Sequence, residues 1–256
     1  MIDKIKFKGI VFKNFQIKDF KEIIKKKGLF LFPSGPGLST IEKEMPYLRA
    51  LKNSDYNFFD SGYFVLLLKY FKQINVSKFS GYLFFKLFLK YIKGNNNKKL
   101  FLIDPSIKLS LSNKKLFNKI GVIKKNINNY IAPQYNSKTI SDRKLLNIIK
   151  KIKPEYILLN IGGGTQEILG LYLKNNIHFK CTIICSGAAI SYFTGDQAPM
   201  NVFFDKIYLG WLIRIIFNPR VFLPRYLKTI KLIHIVLNNN IKVFKYKLNR
   251  ELFNFW

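Results

Sequence analysis

Tyr156-Ile157-Leu158-Leu159-Asn160-Ile161-Gly162-Gly163-Gly164-Thr165-Gln166-Glu167 runs from an unbroken apolar segment, across three glycines, into a helical pattern. So short an apolar run, without alternation, reads as a strand covered on both faces, the kind from which parallel sheets are built. Working outward, Ile5–Phe12, Leu29–Phe32, Tyr56–Phe59, Leu100–Ile103 and Thr182–Cys185 read as further strands. Between them Ser39–Leu51, Gly62–Lys72, Phe85–Ile92, Asn113–Ile120, Ser141–Lys151 and Gln166–Lys174 carry helical patterns. Parallel neighbours need such crossovers. The expectation is an α/β fold: a mostly parallel, Rossmann-like sheet with helices on both faces.

The chain of 256 residues suits one large α/β domain with a short addition, and no Pro/Gly/Ser-rich linker divides it. The pattern changes near residue 200. Phe203–Phe217 and Val221–Leu237 read as two basic, aromatic-rich amphipathic helices broken at Pro219, followed by a tail over Asn239–Trp256. The expected division is an α/β domain over 1–200 and a basic helical C-terminal appendage and tail over 201–256.

Lys+Arg of 44 against Asp+Glu of 14 gives a net charge of +30. That suggests an anionic partner, whether nucleic acid, membrane surface or phosphorylated ligand. Lys- and Asn-rich runs such as Gly94-Asn95-Asn96-Asn97-Lys98-Lys99 are also what an AT-rich genome produces, so much of the lysine carries no message. Arginine is the informative cation: the chain has 38 Lys and six Arg, and Arg214, Arg220 and Arg225 fall within twelve residues. Cys181 and Cys185 are too few for a disulfide framework or a zinc site and read as buried thiols in a reducing compartment. Met1–Lys27 alternates charged and apolar residues and does not read as a signal peptide. The best apolar stretches, Tyr63–Leu68 and Ile207–Phe217, fall well below spanning length, so membrane attachment would be peripheral.

Ligands of open α/β sheets sit beyond the carboxyl ends of the strands. Asp60 ends a strand there and precedes Ser61-Gly62 and a helix, so it is placed either to accept a proton from an attacking hydroxyl or to cap that helix. Gly162-Gly163-Gly164 at a helix N-terminus would turn backbone N–H groups toward a phosphate or ribose, or would simply make a tight turn. Neither the Walker A nor the dinucleotide pattern is complete here. Gly187-Ala188-Ala189 follows its strand in the same manner. The three arginines suit bidentate phosphate binding, against the alternative of a solvated helix face. No Asp-x-Asp occurs, and His178 and His234 have no ligand partners at metal spacing, so no metal and no cofactor is expected.

In order and spacing these segments resemble the WecG/TagA/CpsF family of N-acetylmannosaminyltransferases and their capsule relatives, from about Leu29 to Lys228. The resemblance is carried by Asp60-Ser61-Gly62, Gln166-Glu167, Gly187 through Gly195, Ala198-Pro199, Trp211-Leu212-Ile213-Arg214, Pro219-Arg220 and Arg225-Tyr226. It implies a nucleotide-sugar-binding catalytic domain and metal-independent, inverting transfer from a UDP-sugar donor to an undecaprenyl-diphosphate-linked saccharide acceptor in surface polysaccharide synthesis. Asp60 and Gln166 become the catalytic candidates, Asp60 as base and Gln166 in the sugar pocket. Ser34, Gly162, Gly163, Gly164, Glu167, Gly187 and Ser191 become substrate-binding candidates, with Arg214, Arg220 and Arg225 covering the diphosphate. The basic, apolar C-terminal segment would meet an anionic membrane surface at the inner face of the plasma membrane, on a cytoplasmic protein. The sequence departs from the family pattern at Ser34 in place of Asn, Gly164-Thr165 in place of Pro-Lys, Ser191 in place of Asp, Gln197 in place of Arg and Gly210 in place of Glu.

Two rival readings stand beside it: a family member that binds nucleotide or lipid-linked saccharide without transfer, and a nucleic-acid binder drawn by charge alone. No RNP, KH or helix-turn-helix pattern supports specific nucleic-acid recognition. A homo-oligomer is compatible with this reading.

Overall fold

The computed structural model describes residues 2–136, 139–197 and 202–245. Its strands are β1 (Ile2–Phe7), β2 (Ile10–Lys13), β3 (Gly28–Leu31), β4 (Tyr56–Asn57), β5 (Leu100–Asp104), β6 (Ile127–Ile131), β7 (Tyr156–Leu159), β8 (Thr182–Cys185) and β9 (Ile241–Lys245). They form one sheet in the order β6-β5-β7-β8-β3-β4-β2-β1-β9. Every pairing from β6 to β2 is parallel, and β1 runs antiparallel to both β2 and β9. The α/β expectation with a mostly parallel sheet holds.

Apolar side chains pack on both faces, as fully buried parallel strands require. One face carries the helices Met45–Lys52, Gly62–Lys72, Arg143–Ile152, Thr165–Asn176 and Lys231–Leu237, through residues such as Leu51, Phe64, Leu145, Leu169 and Leu232. The other carries Gly81–Lys93 and Ile107–Lys119, where Phe84, Phe85, Phe88 and Phe117 meet Phe30, Phe58 and Leu102. Phe32 and Phe58 stack at 4.5 Å between ring centres, fixing the chain just beyond β3 and β4 where the loops of interest begin.

Several boundaries differ from the sequence reading, each for a local reason. Ile5–Phe12 is not one strand but the hairpin β1–β2, because Lys8 (φ 48°) and Gly9 (φ 82°) form a two-residue turn whose twist suits antiparallel strands. Ser39–Leu51 contains one helix only from Met45, with Pro46 in its first turn where no N–H is needed; a shorter helix, Gly35–Leu38, precedes it. β6 and β9 were not anticipated. Both are edge strands, and their polar content (Asn128, Asn129, Lys242, Lys245) hides the apolar alternation.

Past residue 201 the chain forms helices Val202–Lys206, Gly210–Phe217, Pro219–Lys228 and Lys231–Leu237. The break expected at Pro219 falls one residue earlier. Asn218 leaves helical geometry and its Oδ1 accepts the Val221 N–H at 3.3 Å, so Pro219 opens the next helix. Tyr208, at φ 65°, makes a second break. The chain then returns to the body: Leu232, Ile235 and Val236 are buried, and β9 extends the sheet beside β1. Ala198-Pro199 and residues 246–256 of the tail lie outside the described residues.

Candidate functional site

The carboxyl ends of β3, β4 and β8 open into a cavity of about 250 Å³ whose far wall is built by residues 205–230. Strand order explains its place. β3 continues to β4 on one side and β8 arrives from β7 on the other, so their connections diverge and leave a crevice between them.

From β3, Ser34 reaches the cavity as the N-cap of Gly35–Leu38, its Oγ accepting the Gly37 N–H at 3.3 Å. From β4 the chain passes buried Phe58 and Phe59 to Asp60. The cap of Gly62–Lys72 is Ser61, whose Oγ accepts the Phe64 N–H at 3.2 Å. Asp60 is therefore not the cap of the helix it precedes. Its Oδ1 instead accepts the Gly81 N–H at 2.7 Å, at the start of Gly81–Lys93. Burial pushes the Asp60 carboxyl up to about 6, with Asp205 adding to the effect; the Gly81 N–H, Lys78 and Arg214 act against it. A carboxyl poised near neutrality beside a cavity has the protonation behaviour a general base needs.

Two cations line the cavity together with Asp60. Arg214 lies in the cavity wall, its Nε donating to Tyr192 Oη and its guanidinium 5.4 Å from the centre of the Tyr192 ring. Lys78 Nζ pairs with Asp205 Oδ1 at 2.6 Å, and Ser80 Oγ donates to Asp205 Oδ2 at 2.6 Å. Trp211, Tyr208 and Tyr226 line the far wall with Asp205 and Arg214. Gly62 makes the approach of Tyr208 possible: a Cβ there would stand 2.7 Å from Tyr208 Cδ1.

Behind the cavity, Gln166 and Glu167 open the helix Thr165–Asn176 and are both buried. Glu167 Oε2 accepts the Gly164 N–H at 2.6 Å, and its Oε1 accepts Gln166 Nε2 at 2.9 Å. Burial pushes this carboxyl up to about 7. Gly187 takes φ 58° at the end of β8, a conformation that favours glycine, and packs against the Gln166 amide.

The structure thus brings Asp60, Ser34 and Arg214 to one cavity, with Gln166, Glu167 and Gly187 in the layer beneath. Gly162, Gly163 and Gly164 border open space, with no atom near where a side chain would start, and are not in the cavity wall. Ser191 is buried in the short helix Ser191–Thr194, its carbonyl accepting the Gln197 N–H at 3.2 Å. Arg220 and Arg225 are exposed and stand outside the cavity wall, Arg225 lying over the Phe222 ring at 5.8 Å. Sequence reading did not single out Lys78, Ser80, Tyr192 or Asp205. Lysine is too common in this chain to stand out, and the pairing spans more than a hundred residues. Asp205, one of only 14 acidic residues, was the available signal. Among the described residues no group of three or more His, Cys, Asp or Glu is placed to hold a metal.

The model of the Glycosyl transferase WecG/TagA/CpsF family matches residues 5–246. No curated protein matches the chain.

Proposed function

The chain belongs to the WecG/TagA/CpsF family of glycosyltransferases, and we propose that it moves N-acetylmannosamine or a related hexose from a UDP-sugar to an undecaprenyl-diphosphate-linked saccharide. The observation that carries this reading is Asp60, raised to about 6 and lining one cavity with Arg214 at the strand ends. Ionised Asp60 takes the proton of the acceptor hydroxyl as its oxygen bonds to the anomeric carbon. The bond from that carbon to the diphosphate breaks, and UDP leaves with the electron pair. One displacement of this kind inverts the anomeric centre. Arg214, held by Tyr192, meets the growing negative charge on the leaving diphosphate with a planar pair of donors, so the step needs no metal ion.

The second substrate is a lipid, and the outer surface of the same wall suits that. Leu212, Ile216, Phe217, Val221, Leu223 and Leu227 are exposed among Arg220, Arg225 and Lys228. No helix among the described residues is long and apolar enough to cross a membrane. Such a surface lies on an anionic bilayer, with apolar side chains in the headgroup region and cations against phosphate. The side chain of Phe203, expected to join it, lies outside the described residues. A cytoplasmic protein held peripherally at the inner face would meet both the soluble donor and the lipid-linked acceptor. The deciding experiment titrates purified protein with a panel of nucleotide sugars and then supplies a lipid-linked saccharide. Binding of one UDP-sugar, followed by release of UDP only when acceptor is present, is expected. Binding without release in any combination would make the protein a non-transferring member of its family.

A further inference from the structure

Gln166 is buried with one end of its amide unused. Its Nε2 donates to Glu167 Oε1 at 2.9 Å and to the Cys185 carbonyl at 3.3 Å. Two acceptors on the same side settle which way the amide faces, since reversing it would set its carbonyl oxygen against both. The Oε1 atom is turned away from them, buried and without a hydrogen-bond partner. Ser186 Oγ, from a residue of the cavity wall, is likewise buried and unpartnered. Between these two residues in the chain of contacts stands Gly187, where an added Cβ would lie 3.3 Å from Gln166 Nε2 and 3.5 Å from Oε1. Among the described residues six buried side-chain polar atoms have no partner, and of these only Ser186 Oγ belongs to a residue of the cavity wall, with Gln166 next to it behind Gly187. A missing ligand is one standard cause of such atoms.

Glu167, by contrast, has both oxygens engaged within the chain, one by the Gly164 N–H and one by Gln166. We propose that Glu167 is a positioning residue, one that does not touch substrate but holds Gln166 so that its carbonyl oxygen is the end offered to a ligand. The group recognised is then a hydrogen-bond donor, a hydroxyl or an N–H, and an acetamido sugar carries both. The identity of that ligand rests on the glycosyltransferase reading above; the lock on the amide does not.

The same geometry makes the lock sensitive to protonation. Ionised, Glu167 only accepts, and Gln166 must donate to it. Protonated, Glu167 donates as well, and Gln166 is able to turn over at the expense of its bond to Cys185. The carboxyl, pushed up to about 7 by burial and by Asp60, changes state near neutrality. The titratable groups facing it are Asp60, Tyr47 and Cys185; burial pushes the last two upward, so both stay protonated there.

The test uses full-length protein labelled with nitrogen-15. Loss of one side-chain amide signal pair in Gln166→Leu assigns the Gln166 NH₂ group. In wild type those signals should move with a midpoint near pH 7, and in Glu167→Gln they should stop titrating. Calorimetry with UDP-N-acetylmannosamine and UDP-N-acetylglucosamine is the second arm. Whichever binds wild type should bind Glu167→Gln and Gln166→Leu about tenfold more weakly or worse, with little further loss in the double variant. Gln166 signals indifferent to pH in wild type would overturn the lock, and that measurement needs no variant to fold. Undiminished affinity in Glu167→Gln would overturn the positioning role. Should wild type bind neither nucleotide, the N-acetylhexosamine donor reading fails, while the amide signals still decide the lock.

Discussion

Lys78 and Asp205, 127 residues apart in the chain, are joined twice: Lys78 Nζ lies 2.6 Å from Asp205 Oδ1 and 2.6 Å from its backbone carbonyl oxygen. Ser80 adds a third bond to the same carboxylate. Both charged side chains are largely withdrawn from water. The cluster fastens the segment that carries Arg214 to the chain leading into the helix Gly81–Lys93, whose first N–H holds Asp60.

Removing one partner of such a pair leaves the other charge without compensation. Asp205→Ala should therefore destabilise the protein by about 3 kcal/mol, the lower end for breaking a buried pair. Urea denaturation measures it. Limited proteolysis should cut the variant first between residues 206 and 230, where the chain has lost its tether. A variant as stable and as resistant as wild type would reduce the pair to an incidental contact.

Asp60 links chemistry to stability with opposite signs. As the proposed base it would work only when ionised, so turnover should climb with pH through about 6 and level off above. Asp60→Asn should lower turnover on the order of 10²–10⁴-fold while leaving donor affinity nearly unchanged, since the carboxylate acts in the transition state. The effect on folding runs the other way. The carboxyl is raised in the folded protein from its ordinary 3.8 to about 6, so the folded state binds the proton more tightly than the unfolded chain. That contribution is complete below about 3.8 and is lost as pH rises through 6. Asparagine cannot ionise. At pH 8 Asp60→Asn should be more stable than wild type by on the order of 2 kcal/mol, with the gap closing toward pH 4. Thermal melts at both pH values would expose an error in either sign.

The arginines divide into two kinds. Arg214→Lys keeps the charge but cannot reproduce a planar fork, and it loses the stack on Tyr192. Donor use should fall roughly 10- to 100-fold in kcat/KM, as expected for losing a charged hydrogen bond of about 1.5–3 kcal/mol. Arg220→Lys and Arg225→Lys alter exposed side chains away from the cavity wall and should change donor use less than about threefold. Equal losses at all three positions would mean that the cavity rearranges around the donor to recruit the outer pair.

How much of this was legible beforehand varied with the range of the interaction. Gly62–Lys72 and Thr182–Cys185 are found at the boundaries read from sequence, because their apolar pattern is local and uninterrupted. Asp60 was legible as a residue, with base and cap both open: the two differ by a one-residue shift in where the helix begins, and Ser61 takes the cap. The arginines read as one cluster because spacing in sequence was the only measure available. The break at Asn218 redirects the chain between Arg214 and Arg220. Lys78 and Asp205 were not legible at all, since their pairing depends on the whole sheet being in place before the two meet.

The outer surface of residues 210–230 makes a prediction that separates specific membrane contact from bulk charge. Truncation is a poor tool here, because it would strip Leu232, Ile235 and Val236 from the core and β9 from the sheet. Point changes on exposed positions avoid that. Ile216 and Phe217 are among the most exposed apolar residues of the segment, at 73% and 55%. A fully buried side chain of this size contributes about 1.5–3 kcal/mol, and shallow insertion realises about half of that. The double variant Ile216→Asp with Phe217→Asp should then bind anionic vesicles at least about tenfold more weakly while melting like wild type. Arg220→Glu with Arg225→Glu should show a similar loss, near 1 kcal/mol per cation removed, and its remaining binding should respond less to added salt. Flotation with phosphatidylglycerol vesicles measures both. Wild-type flotation in both double variants would assign the attraction to the +30 charge spread over the molecule. The wall of the cavity would then have no orientation toward the bilayer, and a lipid-linked acceptor would have to reach Asp60 from a protein that lies on the membrane in any pose.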